Sequence, residues 1–170
     1  MGRMGRFTVQ DLRRLQNQLD KIQAGNADAF VESCAKELAG RLLAKVVKRT
    51  PVGIYSGDSY TYESKQQHKG HKVNGKKGGT LRRGWTGQKK LAAKNYANSL
   101  TVHHFGDTYV IEIVNPVEYA SYVEYGHMTA NHKDWVQGHF MLTISEQEIE
   151  EIAPRVLENK IKKYLAECMK

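Results

Sequence analysis

The chain has 170 residues, a formal net charge of +8 and only two cysteines, Cys34 and Cys168. That length suits one domain with a buried core and is too short for two. Neither a secretory signal nor an apolar run of membrane-spanning length is visible, which argues against membrane proteins and secreted disulfide scaffolds. We therefore expect a protein made in a reducing cytoplasm and without membrane contact.

The first predicted element is an amphipathic helix from Thr8 to Gln23. Its apolar residues recur at spacings of three and four and share one stripe, formed by Leu12, Leu15, Leu19 and Ile22. The stripe is narrow, so this helix could lie on the domain or against a neighbouring subunit. Residues 1–25 are thus predicted to be an N-terminal helical arm, and residues 26–170 a single domain.

A longer helix is predicted from Ala27 to Arg49, with an apolar face broad enough for a central position in the fold. That face is formed by Phe30, Cys34, Leu38, Leu42 and Val46. Thr50 and Pro51 follow the helix and should end it, because proline disfavours helical conformation in the residue before it.

A basic stretch from Lys65 to Lys94 holds ten Lys or Arg and no Asp or Glu. The rest of the chain carries sixteen basic against eighteen acidic residues, so the positive charge is local. Residues from about 54 to 79 have little to bury, which predicts a long basic loop, mobile unless a partner orders it. The loop could contact DNA or an acidic protein surface, or simply keep the protein soluble. The lysines predicted to face a channel or nucleic acid are Lys65, Lys69, Lys72, Lys76 and Lys77.

Two antiparallel strands are predicted at residues 97–104 and 108–114, joined by a turn at Gly106 and Asp107. On the second strand, Tyr109, Ile111 and Ile113 share one face, and Val110, Glu112 and Val114 share the other. We expect one face to meet the long helix and the other to be partly wet or to meet a partner.

The segment from Val117 to Gly126 is predicted to be a short helix or turn with an unusually aromatic sequence. A loop is predicted from His127 to Gly138, followed by a mainly helical segment from His139 to Met169 in which Pro154 should introduce a kink or start a new helix. A small core cannot bury so many large side chains on one side, so we predict partly exposed oligomer contacts. The contact residues are Tyr119, Tyr122, Tyr125 and Trp135.

No cofactor, metal or catalytic site is predicted. Three histidines fall in one region, His127, His132 and His139, but their spacing matches no ligand motif. The glycines and lysines near residue 75 lack the frame of a phosphate-binding loop. Without a recognisable nucleophile, base and orienting group, we expect no enzyme activity.

A second candidate for partner contact is the phrase around Trp85. Arginine can bind phosphate or carboxylate bidentately, and tryptophan can anchor an interface. The predicted contact residues are Leu81, Arg82, Arg83 and Trp85. The alternative is equally compatible with the sequence: Leu81 and Trp85 lie in the core while the arginines face water.

Two phrases in this order carry a family resemblance. The first is Thr50-Pro51-Val52-Gly53 with Gly79-Thr80-Leu81-Arg82, and the second is Tyr119-Ala120-Ser121-Tyr122-Val123-Glu124-Tyr125-Gly126. They resemble small tailed-phage proteins described as tail-component, tail-completion or head-tail joining (neck) proteins. In that family a helix ends in a Pro-Val-Asp-Thr-Gly-x-Leu-Arg type phrase, and a Tyr-Ala-x-Tyr-Val-Glu-Tyr/Phe-Gly phrase follows a hairpin.

This chain departs from the family pattern in two places. The first phrase is split, as though the basic loop had been inserted within it. The Pro-x-Pro-Phe that often precedes the last helix is replaced by Gln137-Gly138-His139-Phe140.

The resemblance implies an α+β fold, which the residue patterns also predict, with a small antiparallel sheet packed against the long central helix and the C-terminal helix. It further implies a virion structural protein that forms a homo-oligomeric ring of six copies, in the neck or at the head-proximal end of the tail of a phage or phage-like particle. Expected partners are other neck, tail-tube or tail-terminator proteins, with transient DNA contact in the channel. The alternative from another class is a nucleic-acid-binding protein that uses residues 65–94.

Overall fold

The structure is a computed structural model that describes residues 26–53, 55–56, 59–60, 78–87, 89 and 91–168. The predicted N-terminal arm lies outside these ranges. So does most of the basic loop, including the channel-facing lysines Lys65, Lys69, Lys72, Lys76 and Lys77.

Two long helices form an antiparallel pair. Helix α1 runs from Asn26 to Arg49 and confirms the predicted central helix. Its first turns meet the end of the last helix, where Phe30 stacks on Tyr164 with ring centroids 4.4 Å apart. At the other end of α1, Lys45 Nζ and Arg49 Nη2 lie 2.6 and 2.7 Å from the Glu148 carboxylate.

Two short helices follow α1 in the described part of the chain: α2, Thr80–Gly84, and α3, Ala93–Asn98. Helix α3 occupies the start of the segment predicted as a strand, so that prediction is wrong for Ala97 and Asn98. Ala97 is fully buried, and a Cβ on Gly40 of α1 would lie 3.6 Å from its side chain. Two small residues thus let the helices approach closely, and this packing overrides the apparent strand alternation.

The predicted hairpin is present but short. Strand β3, His103–Phe105, pairs antiparallel with β4, Thr108–Val110, around a turn in which Gly106 has φ of 58°. The predicted alternation continues past β4 and is confirmed: Ile111 and Ile113 pack against the core, whereas Glu112 and Val114 are exposed.

The other described strands form separate two-stranded pairs. Strands β1, Tyr55–Ser56, and β2, Ser59–Tyr60, pair antiparallel. After helix α4, Ala120–Tyr125, strand β5, Gly126–Met128, pairs with β6, Trp135–Gln137. The loop prediction for residues 127–138 is therefore wrong at the strand residues, because three-residue strands are too short to show an alternating pattern, whereas residues 129–134 form a loop as predicted. The fold is α+β as predicted, but its described strands form pairs rather than one sheet.

The last helix, α5, runs continuously from Met141 to Cys168 with Pro154 inside it. Two outcomes were predicted at Pro154, a kink or the start of a new helix. The second is wrong, because the helix is continuous through the proline. The core lies where α1, α2, α3 and the start of α5 meet. Its buried members are Ala39, Leu43, Val46, Leu81, Trp85, Ala97 and Met141.

Candidate assembly surface

Helix α4 separates its side chains by environment. Ala120 and Val123 pack against the core. The tyrosines of the same phrase point the other way, and Tyr122 and Tyr125 keep 58% and 60% of their surface exposed. The small and branched residues of the phrase therefore anchor the helix, and its tyrosines are presented to solvent.

Glu124 fixes α4 to the start of α5. Its side chain is only 6% exposed. One carboxylate oxygen accepts hydrogen bonds from the backbone N–H and the hydroxyl of Thr143, both at 2.9 Å, and the other accepts from the N–H of Leu142 at 3.0 Å. A carboxylate at this position satisfies N–H groups that have no partner inside the helix, and it interacts favourably with the helix dipole.

Two glycines let the β5–β6 hairpin fold tightly against α4. A Cβ on Gly126 would lie 2.4 Å from the carbonyl oxygen of Val136, and one on Gly138 would lie 2.2 Å from that of Glu124. Gly126 also has φ of 88°, which side chains rarely permit. The chain then returns to α4, because the N–H of Phe140 donates to the carbonyl oxygen of Glu124 at 3.0 Å.

The hairpin that follows α4 adds further exposed large side chains. Met128 pairs with Trp135 across the strands, and Trp135 is 62% exposed. Tyr122 packs edge-on against His127 with ring centroids 5.6 Å apart. We call the exposed large side chains of α4, of the residue before it and of this hairpin the aromatic surface. It consists of Tyr119, Tyr122, Tyr125, Met128 and Trp135, all of them exposed.

The two halves of the split phrase meet at Thr50. This residue is fully buried, and its hydroxyl accepts a hydrogen bond from Trp85 Nε1 at 2.8 Å and donates one to the Val46 carbonyl at 2.7 Å. Arg82 donates to the Thr50 carbonyl oxygen through Nε at 3.0 Å and Nη2 at 2.6 Å. Residues on either side of the basic loop therefore form one buried cluster at the end of α1.

This cluster decides between the two interpretations of the phrase around Trp85. Leu81 and Trp85 are buried in the core, so the alternative of core packing holds for them. Arg82 is engaged with Thr50, whereas Arg83 is exposed and donates to the Gly78 carbonyl at 3.2 Å. Of the four, Arg83 is the side chain that the described structure leaves open to a partner.

Other expectations concern metals, thiols and membranes. Within the described ranges, no group of His, Cys, Asp or Glu is arranged to hold a metal ion. Both cysteines are free, and burial raises the pKa of the Cys34 thiol. None of the described helices combines the length and the apolar character that a membrane span requires.

Residues 13–126 match the model of the HK97 gp10-like family, described as a tail component of bacteriophage HK97 gp10 type. The match covers more than half of the chain and ends at Gly126, the last residue of the phrase Tyr119–Gly126. The chain belongs to this family. In the same comparisons, no curated protein and no solved structure shows significant similarity to it.

Membership in the HK97 gp10-like family makes the protein a structural component of a phage virion. The structure also gives the family-like phrase physical roles that sequence reasoning missed. Glu124 caps α5 rather than facing a partner, and Gly126 permits the close hairpin turn. The signal that could have pointed to these roles was the position of Glu124 and Gly126 within the family-like phrase, because neither a glutamate nor a glycine is diagnostic by itself.

Proposed function

We propose that this HK97 gp10-like protein assembles into a closed ring of six copies at the neck or head-proximal end of the tail, where it takes part in tail completion or head–tail joining. The observation that carries the proposal is the aromatic surface. Its side chains are exposed in the single subunit, yet the capped α5 and the two tight glycines hold them in place. A fixed apolar patch of this kind is typical of a protein–protein contact.

The size of the patch supports a repeated contact. Four aromatic side chains, about half exposed and offering ~150–250 Å² each, present roughly 400 Å² to solvent. That is about half of the ~800 Å² per partner in a standard interface. At ~25 cal/mol per Å², its burial would contribute about 10 kcal/mol, comparable to the ~4–15 kcal/mol that association costs. One contact alone would be marginal, whereas a closed ring gives every subunit two.

The test is the substitution Tyr125→Ser, with Ile161→Ser as a matched control on an exposed part of α5. We expect Tyr125→Ser to weaken subunit association at least about tenfold, because an aromatic hot spot contributes ~2 kcal/mol or more. The melting temperature should change little in both variants, since exposed substitutions usually alter stability by about 0.5 kcal/mol or less. Light scattering after size-exclusion chromatography measures the oligomer.

Two results would count against this function. One is a Tyr125→Ser protein that unfolds readily but, where folded, assembles like the wild type, because the tyrosine would then be a core residue. The other is a native particle in which imaging places the subunit away from the neck and the upper tail.

The second candidate function, nucleic-acid binding, is supported by the sequence of residues 65–94 alone. A binder that neutralises several phosphates should lose affinity steeply with salt, with a log–log slope of about 0.9 per phosphate. A DNA-binding titration between low and physiological salt separates the two functions. A flat dependence would exclude an electrostatic grip by the basic stretch.

A further inference from the structure

Two packed helices leave a groove on each side of their contact, and in the α1–α5 pair the two grooves differ in character. One groove is polar. Its charged lining residues come from both helices and are Glu37, Arg41, Arg155, Lys160 and Lys163. On the other side, each helix carries an apolar stripe, since residues three and four apart share one side of a helix.

The apolar stripe of α5 runs along the second half of the helix. Its members recur at spacings of four and three and are Leu157, Ile161, Leu165 and Cys168. Ile161 and Leu165 keep 44% and 41% of their surface exposed. On α1, Val31, Ala35 and Leu38 have the same spacing, and Val31 is 36% exposed. We call these two stripes the apolar groove.

The contacts between the helices keep the two stripes side by side. Phe30 stacks on Tyr164, and Lys160 Nζ donates to the Ser33 carbonyl oxygen. The first half of α1 therefore runs antiparallel beside the second half of α5. On the outer edge of the α5 stripe, Glu158 and Lys162 neutralise each other at 2.6 Å, so a segment laid on the groove meets a neutral edge there.

The N-terminal arm reaches α1 at one end of this groove. Helix α1 begins at Asn26, and its first turns meet the last turns of α5. Only two residues, Ala24 and Gly25, separate α1 from the predicted arm helix. The three Cα–Cα steps from Gln23 to Asn26 span at most about 11 Å. The chain's own arm is therefore tethered beside the groove.

The arm offers a stripe of matching length. Its apolar residues are Leu12, Leu15, Leu19 and Ile22. At ~1.5 Å per residue, they would span about 15 Å of helix, and the stripe from Leu157 to Cys168 spans about 16 Å. An arm that folds back from Asn26 runs parallel to α5, so Ile22 comes next to Cys168.

The charges of the arm suit this placement. Arg13, Arg14 and Lys21 fall on the other side of the predicted helix, where they would stay in water. Asp11 borders the stripe at its far end, in the first turn, where an acidic side chain interacts favourably with the helix dipole.

Two further observations connect the arm with the domain. The match to the HK97 gp10-like family begins at residue 13, so it includes most of the arm's stripe. Among the described residues, the buried Tyr164 hydroxyl has no standard hydrogen-bond partner, and the Cys168 thiol beside it is only a weak acceptor. Tyr164 lies where the arm joins α1, and polar groups of residues 23–25 can supply a partner.

We propose that the arm of each subunit folds back as a helix and packs its leucine stripe into the apolar groove of the same subunit, parallel to α5. The short connection gives the chain's own arm an effective concentration in about the millimolar range, against which a neighbour's arm must compete. The arm is then part of the domain and not a bridge between subunits. This inference does not rest on the proposed ring, whose aromatic surface is built at the other end of α1.

The docked arm should be the least stable part of the domain. A helix of about 16 residues is marginal by itself in water, and the groove lies away from the buried core around Leu43, Val46 and Met141. The arm should therefore open locally before the domain unfolds. Substitutions in the groove release the arm and leave the melting temperature nearly unchanged, which agrees with the behaviour expected of Ile161→Ser.

The first experiment traps the contact as a disulfide in the full-length chain. Cys34→Ala leaves Cys168 as the natural thiol. With oxidised glutathione, Ile22→Cys should form an intrachain disulfide with Cys168 at least about tenfold faster than Lys21→Cys, because a disulfide needs Cα atoms within about 7 Å and Cβ atoms that face each other. Lys21→Cys is the matched control, since its tether is almost the same but it lies on the other side of the arm. Non-reducing electrophoresis separates intrachain from interchain products.

The second experiment does not depend on the exact register of the arm. Hydrogen exchange is followed at the backbone amides of residues 12–22 in the wild type and in Leu165→Ser. Loss of the leucine should accelerate this exchange at least about tenfold, because the arm loses apolar burial. Leu91→Ser, a similarly exposed leucine outside the groove, should leave it unchanged. An unaltered melting temperature in both variants shows that the domain is folded.

Three results would overturn the inference. The first is an equal rate of disulfide formation in Ile22→Cys and Lys21→Cys. The second is a mainly interchain disulfide in Ile22→Cys, which would assign the groove to the arm of a neighbouring copy. The third is exchange of the arm amides in the wild type at the rate of an unprotected peptide. The ring is tested separately, through the association of Tyr125→Ser.

Discussion

Glu148 shows how one surface residue joins the two long helices. Lys45 and Arg49 reach it from the last turns of α1, and Arg49 also donates to Ser145 at 2.7 Å. Exposed ion pairs contribute little one at a time, but here one carboxylate is shared by two cations next to a buried hydroxyl. The arrangement fixes the end of α1 against the start of α5, which is the base of the aromatic surface.

Hydrogen bonds from Lys45, the larger cause, and from Arg49 hold the pKa of Glu148 below the usual glutamate value of 4.5. Because the carboxyl protonates less readily in the folded chain, the unfolded chain binds more protons as the pH falls past that value. The pair therefore stabilises the fold above about pH 4.5, and this contribution disappears as the pH falls through the folded pKa. Glu148→Gln should be less stable than the wild type near neutral pH, and the gap should close on acidification. Urea unfolding between pH 3 and 7 measures this.

Glu150→Gln serves as the control for that experiment, since Glu150 is exposed on the same helix. Its effect on stability should be small throughout the pH range. If the difference in the free energy of unfolding between the wild type and Glu148→Gln stayed constant down to pH 3, the carboxylate would not act through its charge.

Several elements could be predicted from the sequence because their pattern is long. Helix α1 repeats its apolar spacing over many turns, and its stop at Thr50 is marked by a proline. The hairpin turn was found because Gly106 permits a positive φ. By contrast, the end of α3, Ala97 and Asn98, was interpreted as the start of a strand, because six residues show too few periods to separate helix from strand, and the burial of Ala97 against Gly40 is a tertiary contact.

The exposure of the aromatic surface was predicted, whereas its role in assembly stays a prediction. The exposure of Tyr122, Tyr125 and Trp135 follows from their number, since a small core has no room for all of them. The roles of Glu124 and Thr50 could not be predicted, because each depends on partners in another segment, Thr143 for the carboxylate and Trp85 for the hydroxyl. The exposed face of the β3–β4 hairpin was anticipated only as one face that could be wet or meet a partner.

Glu124 joins helix α4 to the start of helix α5, so its substitution should destabilise both helices. Glu124→Gln keeps the side-chain shape but loses the charge and one acceptor, and we expect a loss of about 1–2 kcal/mol, the range typical of helix caps. Hydrogen exchange should accelerate at the N–H groups of Leu142 and Thr143. Glu118→Gln, an exposed neighbour, is the control and should leave both unchanged. Unaltered exchange in Glu124→Gln would contradict the capping role.

At the scale of the whole molecule, charge and assembly are predicted to be separable. Replacing Lys65, Lys69, Lys72, Lys76 and Lys77 with Gln removes much of the local positive charge. Because exposed charges contribute ~0–1 kcal/mol each to stability, we expect folding to remain nearly intact while fewer particles are completed. Electron microscopy of particles made with the variant counts tails with normal proximal ends. Unchanged numbers would reduce the loop to a solubility feature.

The cluster at Thr50 has a consequence for how this protein can vary. The chain leaves the core at Gly53 and re-enters it at Gly78, so close that a Cβ on Gly78 would lie 2.0 Å from the Gly53 carbonyl oxygen. The two ends of the intervening segment are therefore in contact. The entropic cost of closing a loop between such ends grows by only about 0.6 kcal/mol for each doubling of the loop length. The segment between Gly53 and Gly78 can therefore be lengthened, shortened or replaced with little effect on the fold. Related virion proteins can differ at this position without a change in their core.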